Sequence, residues 1–193
     1  MKEEQKNNLS CVKAYDVRGR VPDELNEGIA FKIGQAFVTF LKAGRVVVGC
    51  DIRLSSNDLV SALSQGLVYG GAEVLDIGLC GTEEVYYATG ALDADGGIMV
   101  TASHNPAEYN GMKFVRREAR PISSDTGLVE IRKMVQDGSF IKGSASGAIR
   151  QADIRDQYVE HILSYIEPDS LQPIKAAVNA GTGCAGPVID LLE

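Results

Sequence analysis

What most limits the folds open to this chain is the order of its short apolar runs and the helical patterns between them. "RVVVGCD" (Arg45–Asp51) is continuous, apolar and rich in β-branched residues, which suits a strand buried on both faces. Before it, from Asn26 to Lys42, the apolar positions Ile29, Ile33, Phe37 and Phe40/Leu41 follow the helical period. After it, Asp58 to Gly70 repeats that period through Leu59, Leu63 and Leu67, with Asn57 as the cap and Gly70–Gly71 as the stop. "AEVLDIG" is the next strand. Thr82 then caps "EEVYYATGAL", whose Glu83 and Glu84 complement the helix dipole in the first turn. "GGIMVTAS" is a third strand and "GMKFV" a fourth, short one. This alternation predicts an α/β fold with right-handed crossovers, its mixed, mainly parallel sheet sandwiched by helices. Ligands collect at the carboxyl ends of such strands, where both "GCDIR" and "MVTASHNP" place polar residues.

Further on, Leu128, Ile131 and Val135 mark a helix that ends at "QDGSF", and the Gly/Ser-rich "IKGSASGA" reads as a linker. Tyr158, Ile162 and Tyr165/Ile166 mark another helix. "IKAAVNAGTGCAGPVIDLLE" reads as strand, Gly-rich turn and helix. Such a unit cannot bury both its faces alone. Residues 148–193 are therefore expected to be the truncated beginning of a second domain, and 13–147 the first. Residues 1–12, opening "MKEEQKNNLS", are expected to form a disordered, solvated tail, and the whole chain reads as a fragment of a longer protein.

The 193 residues are enough to bury a real core, and 45% hydrophobic with 23% charged content is ordinary for a soluble globular protein. The net charge of -7 argues against a nucleic-acid partner but leaves room for a local basic pocket holding a phosphorylated small molecule. No apolar run reaches the length of a membrane span, and the first residues lack the apolar core of a secretory signal. Cys11, Cys50, Cys80 and Cys184 are widely spaced, each in or beside an apolar run. Buried free thiols in a reducing cytoplasm are expected, with no Cys/His metal site.

The stretch "GIMVTASHNPAEYNGMKFV" (Gly97–Val115) holds one of only two histidines. Ser103 follows a buried strand, so its oxygen lies at the sheet rim, with His104 adjacent. Asn110–Gly111 favours a tight turn that would return Lys113 towards Ser103. Acyl transfer wants a base oriented by a carboxylate and a strained elbow such as G-x-S-x-G, which is absent. Phosphoryl transfer wants positive charge, donors and a metal. A polar turn without chemistry satisfies the same spacing. Nothing in the local pattern alone separates Arg18 from a surface charge in a turn, Lys113 from a solvated strand lysine, or Tyr15 from a core residue. Asp51 and Arg53 read equally as a structural ion pair at a strand end. Asp93 and Asp95 flank a turn, and His161 reads as a surface or packing residue.

"TASHNPAEYNGMKF" resembles the phosphoserine loop of the α-D-phosphohexomutases, the family of phosphomannomutases and phosphoglucomutases. "KAYDVRG" (Lys13–Gly19), "GCDIRLSS", "GTEEVYYAT" and "ARPISSDTGL" resemble further segments of its bacterial members, and "VNAGTGCAGPV" the opening of its second domain. The resemblance implies an enzyme that moves phosphate between the 6- and 1-positions of a hexose, mannose foremost, through a bisphosphorylated sugar. Ser103 would carry the phosphate and give Mg²⁺ an oxygen ligand. Lys113 would be the general acid/base. Arg18 would aid proton transfer and stabilise transition-state charge, while His104, Asn110 and Tyr15 would position the phosphoserine or the sugar. A hexose 1,6-bisphosphate would be the activator, and GDP-mannose synthesis the setting. "KAYDVRG" leans away from the glucosamine-phosphate mutases, and glucose phosphates remain the alternative substrate.

Family members are longer, with four domains. The aspartate-rich metal loop, the sugar-reading loop and the distal phosphate-binding loop have no counterpart in these residues, so the chain by itself is expected to be inactive. Two rival readings are a silent sugar-phosphate-binding module and a serine hydrolase built on Ser103 and His104.

Overall fold

The structure is a computed structural model and describes residues 9–140, 147–167, 170–181 and 183–192. It contains a sheet of seven strands: β1 (Val17–Arg20), β2 (Arg45–Cys50), β3 (Glu73–Leu79), β4 (Gly96–Val100), β5 (Tyr109–Arg116), β6 (Arg120–Pro121) and β7 (Ile149–Gln151). Their order is β1-β5-β4-β2-β3-β7, with β6 paired to β5. The β2–β3, β2–β4 and β3–β7 pairs are parallel, whereas β5 runs antiparallel to β4 and to β1. The sheet is therefore mixed, as expected.

Helices α1 (Glu27–Leu41), α2 (Ser56–Tyr69), α3 (Thr82–Ala91), α4 (Leu128–Asp137) and α5 (Arg155–Leu163) enclose it. Side chains alternate along a strand, and the two cores record that alternation. Val46 and Val48 of β2, with Ile98 and Val100 of β4, pack with Ile33 and Phe37 of α1, Leu63 and Leu67 of α2, and Ile131 of α4. Val47 and Met99 point the other way, into a smaller core with Val85, Ala88 and Ile154. The continuous apolar runs of β2 and β4 are needed because both faces are covered.

Local chemistry sets the helix ends. The Asn26 side chain accepts a hydrogen bond from the Ile29 amide at 3.1 Å, and α1 stops at Lys42, which takes the left-handed conformation (φ 53°). The cap of α2 is Ser55 rather than Asn57, and that of α3 is Gly81 rather than Thr82. Glu84, in the first turn, reaches back to accept the Gly81 amide at 2.7 Å. Helices α1 and α2 cross at glycine: a Cβ on Gly66 would stand 2.0 Å from the Phe31 carbonyl oxygen, and one on Gly34 2.5 Å from that of Leu63.

Several boundaries differ from the sequence reading. Of the tail expected over residues 1–12, residues 1–8 lie outside the described residues, but Leu9 and Cys11 are buried and Val12 bridges to Val17. Of the "IKGSASGA" linker, residues 141–146 lie outside the described residues. The sheet also continues past the break expected at 147/148. Strand β7 pairs with β3 through Val74–Ile149 and Asp76–Gln151, and Ile154 and Val159 behind it are buried. Tyr165 and Ile166, expected on α5, fall beyond its end and are exposed. No strand forms in "IKAAVNA", where Ile174 and Val178 are exposed. Among the described residues only the short helix α6 (Gly186–Leu192) follows. Without a neighbouring edge to supply backbone partners, an apolar run of that kind gains nothing from extending.

Asp95 ties the edge of this framework together. Its Oδ2 accepts the Gly44 and Arg45 amides at 2.8 and 3.1 Å, and its Oδ1 meets Arg117 at 2.9 Å. Partial burial alone would raise its pKa, but these donors hold the carboxyl below the usual carboxylate range. Because the folded value is lowered, the stabilisation is fully present above about pH 4 and is lost as pH falls through the folded value. Asp95→Asn is expected to lower stability at pH 7 by about 1 kcal/mol. The gap to the parent should close in acid, and thermal melts of both proteins across pH 2–7 check this.

Candidate active site

Strand β4 ends at Val100, and the chain reverses through residues 101–108 before β5 begins at Tyr109. The reversal is therefore this loop and not the expected Asn110–Gly111 turn. Those two residues lie inside β5, with Gly111 opposite Arg18 of β1. Glycine is required at 111 because a Cβ would stand 2.2 Å from the Val17 carbonyl oxygen and 2.9 Å from that of Thr101. Lys113 still returns alongside β4, opposite Met99, through antiparallel pairing.

Ser103 sits exposed in the loop in the left-handed conformation (φ 52°), which costs a non-glycine residue about 1 kcal/mol. Its amide donates to Thr101 Oγ1 at 2.9 Å, and its own Oγ lies 3.3 Å from His104 Nδ1. Thr101 Oγ1 in turn donates to Asp51 Oδ2 at 2.7 Å, and Ser56 Oγ to Asp51 Oδ1 at 2.6 Å. Asp51, just past the end of β2, thus fixes the turn that presents Ser103. The oriented-base arrangement of a serine hydrolase is missing. Among the described residues His104 contacts no carboxylate, and the Ser103 amide is already engaged.

Two arginines hold the loop. Arg18 donates to the Ala102 carbonyl and to Asn105 Oδ1, each at 2.6 Å, and pairs with Asp16 Oδ2 at 2.6 Å. Lys113 Nζ lies 3.7 Å from the same Asp16 oxygen, so Asp16 joins the two cations. Arg18 is on strand β1, so it is not the surface charge in a turn that the local pattern also allowed. Arg53 lies across from it and meets the carbonyls of Ser103, Asn105, Pro106 and Tyr109. A cleft of about 440 Å³ runs beside this loop, lined by Asp51, Arg53, Ser103, Asn105 and Ala107 among others.

The other expected site residues divide. Tyr15 is 78% exposed beside β1 and free to meet a ligand. Asn110 is fully buried, its Nδ2 donating to Ser55 Oγ and Ser56 Oγ at 2.9 and 3.0 Å. It supports the loop of Ser103 through Ser56 and Asp51 and, being fully buried, is placed to position that loop rather than to face the cleft. The thiols nearby are inert: burial, with Asp76 and Asp51 adding to it, pushes Cys50 up to about 11, and burial pushes Cys80 up as well.

The side chains around Ser103 do not by themselves make a magnesium site. Asp16 and Asp51, the carboxylates of this network, are each engaged by an arginine. No group of three or more acidic, histidine or cysteine side chains suited to a metal occurs among the described residues.

A family model described as phosphoglucomutase/phosphomannomutase, alpha/beta/alpha domain I, matches residues 10–142. The chain belongs to this family. It is 53% identical over 189 residues to the phosphomannomutase of Salmonella montevideo, covering 97% of this chain and 41% of the relative. It is 55% identical over 184 residues to a protein of Xanthomonas campestris pv. campestris (strain B100) named phosphohexose mutases, covering 95% and 41%. A solved phosphoglucomutase/phosphomannomutase family protein from Burkholderia thailandensis superposes with a TM-score of 0.85 at 37% identity, covering 95% of this chain and 41% of that one. The chain thus spans about two fifths of the length of these relatives. In this member of the phosphoglucomutase/phosphomannomutase family, sequence reasoning passed over Asp16, Thr101 and Asn105. It left Asp51 and Arg53 open between a structural ion pair and members of the site expected where "GCDIR" follows a buried strand. No helix among the described residues is long and apolar enough to cross a membrane.

Proposed function

We propose that this chain is the phosphoryl-carrying part of a phosphohexomutase acting on hexose 6- and 1-phosphates, mannose foremost, by way of a bisphosphorylated sugar. The observation that carries the reading is the placement of Ser103. Its hydroxyl is exposed at the carboxyl end of the sheet, on a loop held from both sides by arginine. In transfer, Ser103 Oγ gives its phosphoryl group to a sugar hydroxyl and takes one back from the other end of the sugar. Cationic groups lower the barrier by facing charge on the phosphoryl oxygens. Lys113, half-exposed and held loosely by Asp16, is the proton carrier, and Arg18 steadies the loop while adding positive charge. Mg²⁺ would supply further charge neutralisation, with the Ser103 phosphate as the one ligand from this chain. A cytoplasmic setting accords with the free thiols, of which Cys11, Cys50 and Cys80 are buried and Cys184 partly so.

The reading is tested by joining this chain to the remaining length of its Salmonella relative. Mass spectrometry of the joined protein after exposure to a hexose 1,6-bisphosphate should place one phosphoryl group on Ser103, and a coupled assay should record mutase turnover. The 193-residue chain alone should show none, because remote binding of the sugar is what positions a reacting group. Phosphate absent from Ser103 in an active joined protein would overturn the proposal, as would robust turnover by the chain alone for the part that calls it inactive.

A further inference from the structure

Arg53 is used unlike a surface arginine. Its side chain is only 13% exposed, and both of its Nη groups are spent on backbone carbonyls. Nη1 donates to the Pro106 and Tyr109 carbonyls at 2.8 and 2.9 Å, and Nη2 to those of Ser103 and Asn105 at 2.8 and 2.6 Å. Nε faces Asp51 Oδ2 at 3.3 Å, and the Arg53 amide donates to Asp51 Oδ1 at 3.1 Å, so the guanidinium itself is aimed. A largely covered cation surrounded by the carbonyls of one loop draws their negative ends inward.

The consequence follows from peptide geometry. In a trans peptide the N–H points opposite to the C=O, and the only cis peptide among the described residues is Val21–Pro22. When Arg53 takes the Ser103 carbonyl, the His104 N–H faces away from the guanidinium; when it takes that of Pro106, the Ala107 N–H does likewise. Among the described residues neither amide has a hydrogen-bond partner, and Ala107 lines the same cleft as Ser103. The two amides are not successive, but each is an unpaired backbone donor on the same irregular loop, and such oriented N–H dipoles attract anions.

We propose that Arg53 is a positioning residue for the phosphoryl carrier: by gathering the loop carbonyls inward, it turns the His104 and Ala107 amides outward as a seat for a phosphoryl group next to Ser103. Asp51 aims Arg53 and, through Thr101, fixes the Ser103 amide, so one carboxylate sets both the hydroxyl and its seat. This rests on the reading of Ser103 as a phosphoryl carrier and adds to it a backbone site governed from below. Lysine cannot replace Arg53, since an ammonium lacks the planar fork that reaches several carbonyls at once.

The test uses inorganic phosphate and the 193-residue chain, followed by amide NMR. In the parent, phosphate should shift the His104 and Ala107 amide resonances saturably, and Ser103→Ala should keep those shifts. Arg53→Met and Arg53→Lys should each weaken the phosphate affinity read at these amides by about tenfold or more, with helix content unchanged by circular dichroism. In the joined protein described above, the same variants should slow phosphorylation of Ser103 by roughly 10²-fold, the scale of a misplaced reacting group. Amides unmoved by phosphate in the parent chain would overturn the inference even if a variant fails to fold. So would equal affinity and equal phosphorylation in Arg53→Lys. If the amides respond as expected but Ser103 is never phosphorylated, the carrier reading falls and the role of Arg53 in shaping an anion seat stands.

Discussion

Ser103→Ala in the joined protein is expected to abolish mutase turnover, lowering kcat by about 10⁴-fold or more, while leaving the fold intact. A covalent carrier cannot be weakened by degrees: without an oxygen at this position no bond to phosphorus forms, and losses for such residues are of this order. The structure says why stability should hardly change. The Ser103 hydroxyl is exposed and among the described residues meets only His104, at 3.3 Å, while the contact that fixes the turn is made by its amide to Thr101. Alanine retains that amide. Steady-state assay of the variant beside a thermal melt separates the two effects. Near-normal turnover with a normal melt would remove Ser103 from the mechanism.

Gly66→Ala is expected to be the most damaging conservative change to the fold. In an isolated helix the substitution would stabilise by about 1 kcal/mol. Here the new Cβ would stand 2.0 Å from the Phe31 carbonyl oxygen and 2.8 Å from its carbon, both backbone atoms of α1. Neither helix can yield alone, because α1 and α2 both pack on the sheet through Ile33, Phe37, Leu63 and Leu67. Overpacking of this kind costs about 3 kcal/mol, which exceeds the propensity gain. A net loss of about 2 kcal/mol would lower the melting temperature by roughly 4–8 °C for a chain of this size. Denaturant unfolding of parent and variant measures it, and an unchanged midpoint would mean that the helices cross farther apart.

Much of this protein was legible one segment at a time. Strands β2 and β4 announced themselves because a strand covered on both faces must be apolar throughout. Helices α1, α2 and α4 did so because a one-sided helix repeats its apolar residues at 3.6. Ser103, His104 and Lys113 stood out as chemistry at the end of a strand, and the long match to the phosphohexomutase loop gave them expected roles. These are local patterns, written in neighbouring residues.

Other features depend on which parts of the chain meet. "VRGR" has no apolar alternation, and it becomes β1 only because β5 offers it an antiparallel edge. Asn110–Gly111 has the composition of a turn, yet packing between β1 and β4 leaves no room for a side chain at 111 and gives Asn110 buried serines to bind. β7 could be assigned to the first sheet only once β3 was seen to present a free parallel edge. The use of Arg53 was the least legible of all, since it lies 50 residues before the Ser103 carbonyl it holds. A sequence shows that an arginine follows a strand. Which carbonyls surround its guanidinium, and hence which amides face outward to meet a phosphate, is decided by the tertiary fold, because hydrogen bonds between distant segments leave no periodic trace in either one.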